Sequence, residues 1–172
     1  DRNVFELDAK QVKRYTILHP DGSTLTGERS SSEERIVISA LLEGRRYKTD
    51  NEADRLALVV ERFEFADVEP ALHNDFSDRA IPRHMTTFEF FNGLIIKFEV
   101  LTLPKPDSAS RFDEPPRWAR VSAEVSEDAP EGGRAEATQQ ALEIGQKVKG
   151  WEYRLEELDG LRTTKLLEDM LA

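Results

Sequence analysis

The chain has 172 residues, 38% of them hydrophobic and 34% charged, a balance that suits a folded core under a heavily charged surface and excludes a disordered tail. Its formal net charge of −10 opposes binding to a phosphate backbone or an anionic lipid surface. The absence of cysteine excludes disulfides, thiolate nucleophiles and Cys-ligated metal centres, and no apolar run of about 18 residues is present to span a bilayer.

The first residue is Asp1, which reads as the start of a soluble portion cut from a longer protein with an upstream signal or anchor. The segment KRYTILHPDGSTLTGER (13–29) then predicts a hairpin. Pro20 presets a turn angle, Asp21 can accept from its own backbone and Gly22 takes a positive φ. A three-residue loop of Pro20, Asp21 and Gly22 sets Ile17 opposite Leu25 and Tyr15 opposite Gly27. A short strand follows at Arg35–Ser39. Thr49 to Glu52 has the form of a capping box, and Ala53, Leu56, Ala57 and Val60 make the buried stripe of a helix. RFEFADVE (62–69) returns as a strand.

Pro70 to Arg83 has no periodicity and reads as a linker. Beyond it, TTFEFFNGLIIKFEVLTL (86–103) predicts a second hairpin. A loop of Phe91, Asn92 and Gly93 pairs Phe90 with Leu94, Phe88 with Ile96 and Thr86 with Phe98, which gathers the apolar groups on one face. The stretch from Pro104 to Arg117 holds four of the eight prolines and reads as a long surface loop. WARVSAEV (118–125) turns Ala119, Val121, Ala123 and Val125 inward, and a helix follows with Ala137, Ala141, Ile144 and Val148 on its buried stripe. GWEYRLEE (150–157) alternates again, with Trp151, Tyr153 and Leu155 on one face and Glu152, Arg154 and Glu156 on the other.

The expected fold is therefore α+β: two similar strand–strand–strand–helix–strand halves with antiparallel sheets, about 4–70 and 84–157, and a closing helix over 158–171, all within one domain of residues 1–172. The core is expected at Trp151, Tyr153, Leu155, Phe88, Phe90, Ile96 and Phe98, because a ring buried in a sheet removes on the order of 200 Å² from water.

Candidate sites are sparse. His73, Asp75, Asp78 and His84 carry the donors that metal or acid–base chemistry uses, but their spacing fits no helical metal pair and no calcium loop, so a solvated linker is the simpler reading. Ser30, Ser31 and Ser32 lack a nucleophile elbow, and Gly132-Gly133 lacks the rest of a phosphate loop. No catalytic, cofactor-binding or metal-binding residue is assigned. Trp118, Arg120 and Phe112 are the expected partner or ligand surface, since Trp118 shares its strand face with Arg120 and Ser122. Leu166, Leu167, Met170 and Leu171 form an apolar stripe that either covers the sheet or docks on a partner helix.

Several of these segments together carry a resemblance. GWEYRLEELDGLRTTKLLEDML (150–171) resembles the closing signature of a bacterial envelope family named as domain of unknown function 4340. VFELDAKQVKRYTILHPDGSTL (4–25) is similar to that family's opening, and FEFFNGLIIKFEV (88–100) with WARVSAEV to its middle. The tryptophan usual on that family's third strand is missing from residues 35–50. The resemblance implies one N-terminal membrane helix, an extracytoplasmic (periplasmic) body at the bacterial inner membrane, and genes beside gliding-type ABC-transporter components. It supplies no catalytic or ligand residues. The expected function is a non-enzymatic interaction or accessory module without a cofactor, whose partner is a membrane transporter or envelope component and not a nucleic acid. It touches the membrane only through the missing anchor. The alternatives are a small-ligand or glycan-binding domain using Trp118 and the proline-rich loop, and a metal-dependent hydrolase using His73, Asp75, Asp78 and His84.

Overall fold

The computed structural model describes residues 2–39, 41 and 43–172. Its strands are β1 (Asn3–Phe5), β2 (Val12–Leu18), β3 (Thr24–Glu28), β4 (Val37–Ile38), β5 (Phe63–Pro70), β6 (Arg83–Phe90), β7 (Leu94–Thr102), β8 (Arg117–Val125) and β9 (Trp151–Leu155). The helices are α1 (Glu52–Arg55), α2 (Glu131–Val148), α3 (Glu157–Thr163) and α4 (Leu167–Met170). The strands make one nine-stranded sheet in the order β1-β5-β9-β8-β7-β6-β2-β3-β4, antiparallel at every pairing. The class is mixed α+β, with the sheet dominant.

Both hairpins close where their turn residues place them. Ile17 pairs with Leu25 and Tyr15 with Gly27 in the first. In the second, Phe88 pairs with Ile96 and Thr86 with Phe98. Two glycines serve close approach here. The ring of Tyr15 lies over Gly27, where a Cβ would stand 2.5 Å from it, and its hydroxyl donates to Ala53 O of α1 at 2.7 Å. Gly93, at φ +98°, lets the tip of the second hairpin meet Ala129 just before α2.

One face of the sheet carries the core. Tyr15, Ile17, Phe88, Phe90, Ile96, Phe98, Ala119, Val121, Tyr153 and Leu155 are buried on it, as the period-2 pattern predicts. α2 lays Ala137, Ile144 and Val148 against this face. Phe98 meets Phe63 and Phe88 edge-on, with centroids 5.1 and 5.9 Å away.

Trp151 departs from the expected core. Tyr153 and Leu155 are 4% and 5% exposed, but Trp151 is 45% exposed. The reason is position: β9 pairs with β8 only at Trp118 and Ala119, and Trp151 starts the strand beyond that ladder, directly after Gly150.

Two helices also depart from expectation. The helix over the first half is a single α turn, α1, that tightens into a 3-10 turn at Leu56–Val60. That tightening buries Val59 beside Leu56, Ala57 and Val60. The Glu52 N–H donates to the Thr49 carbonyl at 3.2 Å rather than to its hydroxyl, which reaches the Asn51 and Glu52 side chains instead. The closing helix is broken into α3 and α4, because the hydroxyls of Thr163 and Thr164 bond back to the carbonyls of Asp159 and Gly160 and end the first piece. Met170 and Leu171 are buried, whereas Leu166 is 49% exposed.

The sheet's two ends are chemically closed. At β4 the N–H groups of Ile36, just before the strand, and Ile38 donate to Asp54 Oδ1 at 2.9 Å and the Tyr47 hydroxyl at 3.2 Å. On β5, beyond the short β1, the N–H of Val68 is taken by Asp67 Oδ1 at 2.9 Å and Pro70 has none to offer.

Candidate functional site

The most organised polar structure lies on the sheet's other face, around Glu152. Alternation along β9 points its side chain away from the core, yet the residue is 0% exposed. The cover comes from residues 71–76, which leave β5 and cross over this face. Glu152 Oε1 accepts from the Leu72 N–H at 2.8 Å and from Arg120 Nη2 at 3.0 Å. Its Oε2 accepts from the Asn74 N–H and from Asn74 Nδ2, each at 3.0 Å. Burial alone would push this carboxyl up, but the Asn74 backbone, Arg120, the Asn74 side chain and the Leu72 N–H together hold it below its ordinary value. It is therefore ionised at neutral pH and works as a staple.

Two further contacts complete the cover. Phe76, 5% exposed, lies under the Arg120 guanidinium at 4.1 Å from its centroid. The His73 ring packs on Trp118 at 5.1 Å. Trp118 is consequently only 7% exposed and is not an open ligand platform, which corrects the reading of it as surface. Arg120 joins the same cluster with 34% of its side chain exposed. Phe112 stands apart in the 103–116 loop, 79% exposed, with Arg111 over its ring at 4.7 Å.

The candidate metal or acid–base set of His73, Asp75, Asp78 and His84 is not assembled. His73 belongs to Trp118, and His84 lies edge-on to His19 at 5.3 Å. Asp75 and Asp78 cap local turns, accepting from Ser77 and Ala80 at 2.9 Å. Among the described residues no group of three or more His, Cys, Asp or Glu side chains is placed to hold a metal ion. The segment 70–83, read from sequence as a solvated linker, is instead pinned at Leu72, Asn74 and Phe76. The signals for this were a lone Phe76 in a polar run and a glutamate flanked by Trp151 and Tyr153.

The Glu152 staple also fixes what it leaves outside. Leu72 has φ +77°, a strained angle for a residue with a branched side chain, and its side chain is 84% exposed. Pro70 pairs with Trp151 and the Ala71 N–H donates to Gly150 O at 2.8 Å, so Leu72 and Trp151 project from one end of the sheet. The arrangement can present a rigid apolar contact; it offers no nucleophile with a base.

Among the described residues no helix is long and apolar enough to cross a membrane. Comparisons with protein-family models, curated proteins and solved structures return no match to this chain.

Proposed function

We propose that this chain is the extracytoplasmic interaction module of a membrane-anchored bacterial envelope protein, acting as a non-enzymatic accessory to a transporter. The observation that carries the reading is the exposed Leu72, held at φ +77° by a fully buried glutamate at the end of the β5·β9 ladder where exposed Trp151 begins β9. A contact whose backbone is already fixed loses little entropy on binding, and Trp is among the residue types that carry most binding energy. The resemblance to the envelope family supports the location and the class of partner.

The finer architecture belongs to the same proposal. We read β2 to β5 and β6 to β9 as two copies of one strand–strand–strand–helix–strand unit. The β2·β6 and β5·β9 pairings support it, since each joins the corresponding strands of the two runs.

The test is a photo-crosslinking amino acid at Leu72 in the full-length protein in bacterial membranes, compared with one at Thr138 on the exposed side of α2. The expected result is an adduct with a transporter subunit or envelope component at Leu72 alone, abolished by Trp151→Asp. Identical adduct patterns at both positions, or none at Leu72, would overturn the reading.

A further inference from the structure

A second polar feature lies at the opposite end of the sheet's core face. Leu18 pairs with Met85 across the β2·β6 ladder, and one step further His19 stands opposite His84. Both follow the inward row, beyond Tyr15 and Ile17 on one strand and Thr86 and Phe88 on the other. Their ring centroids are 5.3 Å apart with planes at 88°. His19 is 6% exposed, and Nδ1 of both rings is buried without a hydrogen-bond partner. Buried polar atoms are almost always satisfied, so two unpartnered imidazole nitrogens on neighbouring rings call for a ligand.

The spacing says which kind. An ion about 2.0–2.1 Å from an imidazole nitrogen lies about 3.2 Å from that ring's centroid, and a tetrahedral angle at the ion then separates two centroids by about 5.2 Å. The observed 5.3 Å matches, and the 88° between planes is no obstacle because each ring rotates freely about its own metal–nitrogen axis. We propose that His19 and His84 form a cross-strand chelate for a borderline divalent transition-metal ion such as Zn2+, Ni2+ or Cu2+.

Other features of the site agree. Burial, the neighbouring histidine and Arg117 keep His84 neutral down to about pH 4, and burial lowers His19 as well, so both rings offer lone pairs at neutral pH. Asp21 acts on both histidines with the opposite sign and favours a cation there. The Arg117 charge is met by Glu114 at 3.2 Å. A cleft of about 460 Å³, lined by Leu18, Met85 and Glu99 among others, reaches His19 from solvent. No third protein ligand of the usual kinds joins the pair among the described residues, so water completes the shell and the ion exchanges.

The chain's three histidines and lack of cysteine make the test clean. Metal-stripped protein is titrated calorimetrically at pH 7 with Ni2+, Zn2+ and Mg2+. One equivalent of Ni2+ or Zn2+ is expected, with Mg2+ far weaker. His73→Gln should bind as the parent does, while His19→Gln and His84→Gln should each weaken binding about tenfold or more, as loss of a direct ligand must exceed the effect of losing an outer partner. Should either variant fail to fold, imidazole 15N shifts of the parent protein decide: Zn2+ should move the His19 and His84 nitrogens and leave those of His73. Unchanged binding in His19→Gln or His84→Gln, binding lost in His73→Gln, equal binding of Mg2+, or shifts confined to His73 would each overturn the proposal.

Discussion

The two faces of the sheet are covered by different physics. α2 meets one face with aliphatic side chains in register with the strands, and the contact is dispersion and water exclusion spread over many residues. The segment 71–76 meets the other face through one ionised carboxylate, four donors and one phenylalanine. The first cover degrades gradually when one residue changes. The second depends on a single side chain, because removing Glu152 strands Arg120 and three amide donors together.

Substitutions can separate the two. Phe98→Ala should have the largest effect, about 4 kcal/mol in global stability by denaturant titration, since it opens a cavity among buried rings. Glu152→Ala should cost about 3 kcal/mol, and its signature should be local: hydrogen exchange at the Leu72 and Asn74 amides accelerates before the core strands respond. Equal acceleration across β7 would show that the crossing segment and the core are one cooperative unit.

The pH dependence sharpens the contrast, because two buried groups oppose each other. His84 titrates at about 4 in the fold against 6.5 unfolded, so its contribution is present above pH 6.5 and is lost as pH falls toward 4. Asp159 is raised from 3.8 to about 6, by burial first, against the Arg162 charge, so its contribution is full below 3.8 and lost as pH rises through 6. Between pH 6 and 4 the two slopes, about 1.4 kcal/mol per pH unit each, cancel. Asp159→Asn should raise stability by about 2 kcal/mol at pH 7 and expose the histidine slope, making the variant lose stability on acidification where the parent does not. A parallel pH profile for parent and variant would remove Asp159 from the account. The smallest effect is expected at Trp151→Ala, below about 1 kcal/mol, against about 3 kcal/mol for Trp118→Ala; a reversal of that order would restore Trp151 to the core.

The sequence made the core face legible, and for a physical reason. Alternating apolar residues in β6, β7 and β8 and the turn residues Pro20, Asp21, Gly22, Asn92 and Gly93 act locally, so spacing alone sets their pairing. Alternation along β9 put Trp151 with Tyr153 and Leu155, but burial depends on which strand pairs alongside, and the β8·β9 ladder stops at Tyr153. The Glu152 cluster was illegible because its partners, Leu72, Asn74 and Arg120, are 80, 78 and 32 residues away and a lone glutamate on a strand reads as wet. The His19–His84 pairing was latent in the two hairpin registers, which set those strands side by side only once the β2·β6 ladder is known.

The capped sheet ends bear on how copies of this protein behave when crowded. A free strand edge is a template, and a surface holding many copies would invite one sheet to extend into the next. Asp54 and Tyr47 at one end, and Asp67 with Pro70 beyond β1 at the other, take up or remove donors that such a template would use. With a formal charge of −10 on every copy, neighbours repel at long range and meet few bare edge donors at short range among the described residues. Edge-to-edge sheet extension between copies is therefore disfavoured, which leaves contact with other molecules to side chains.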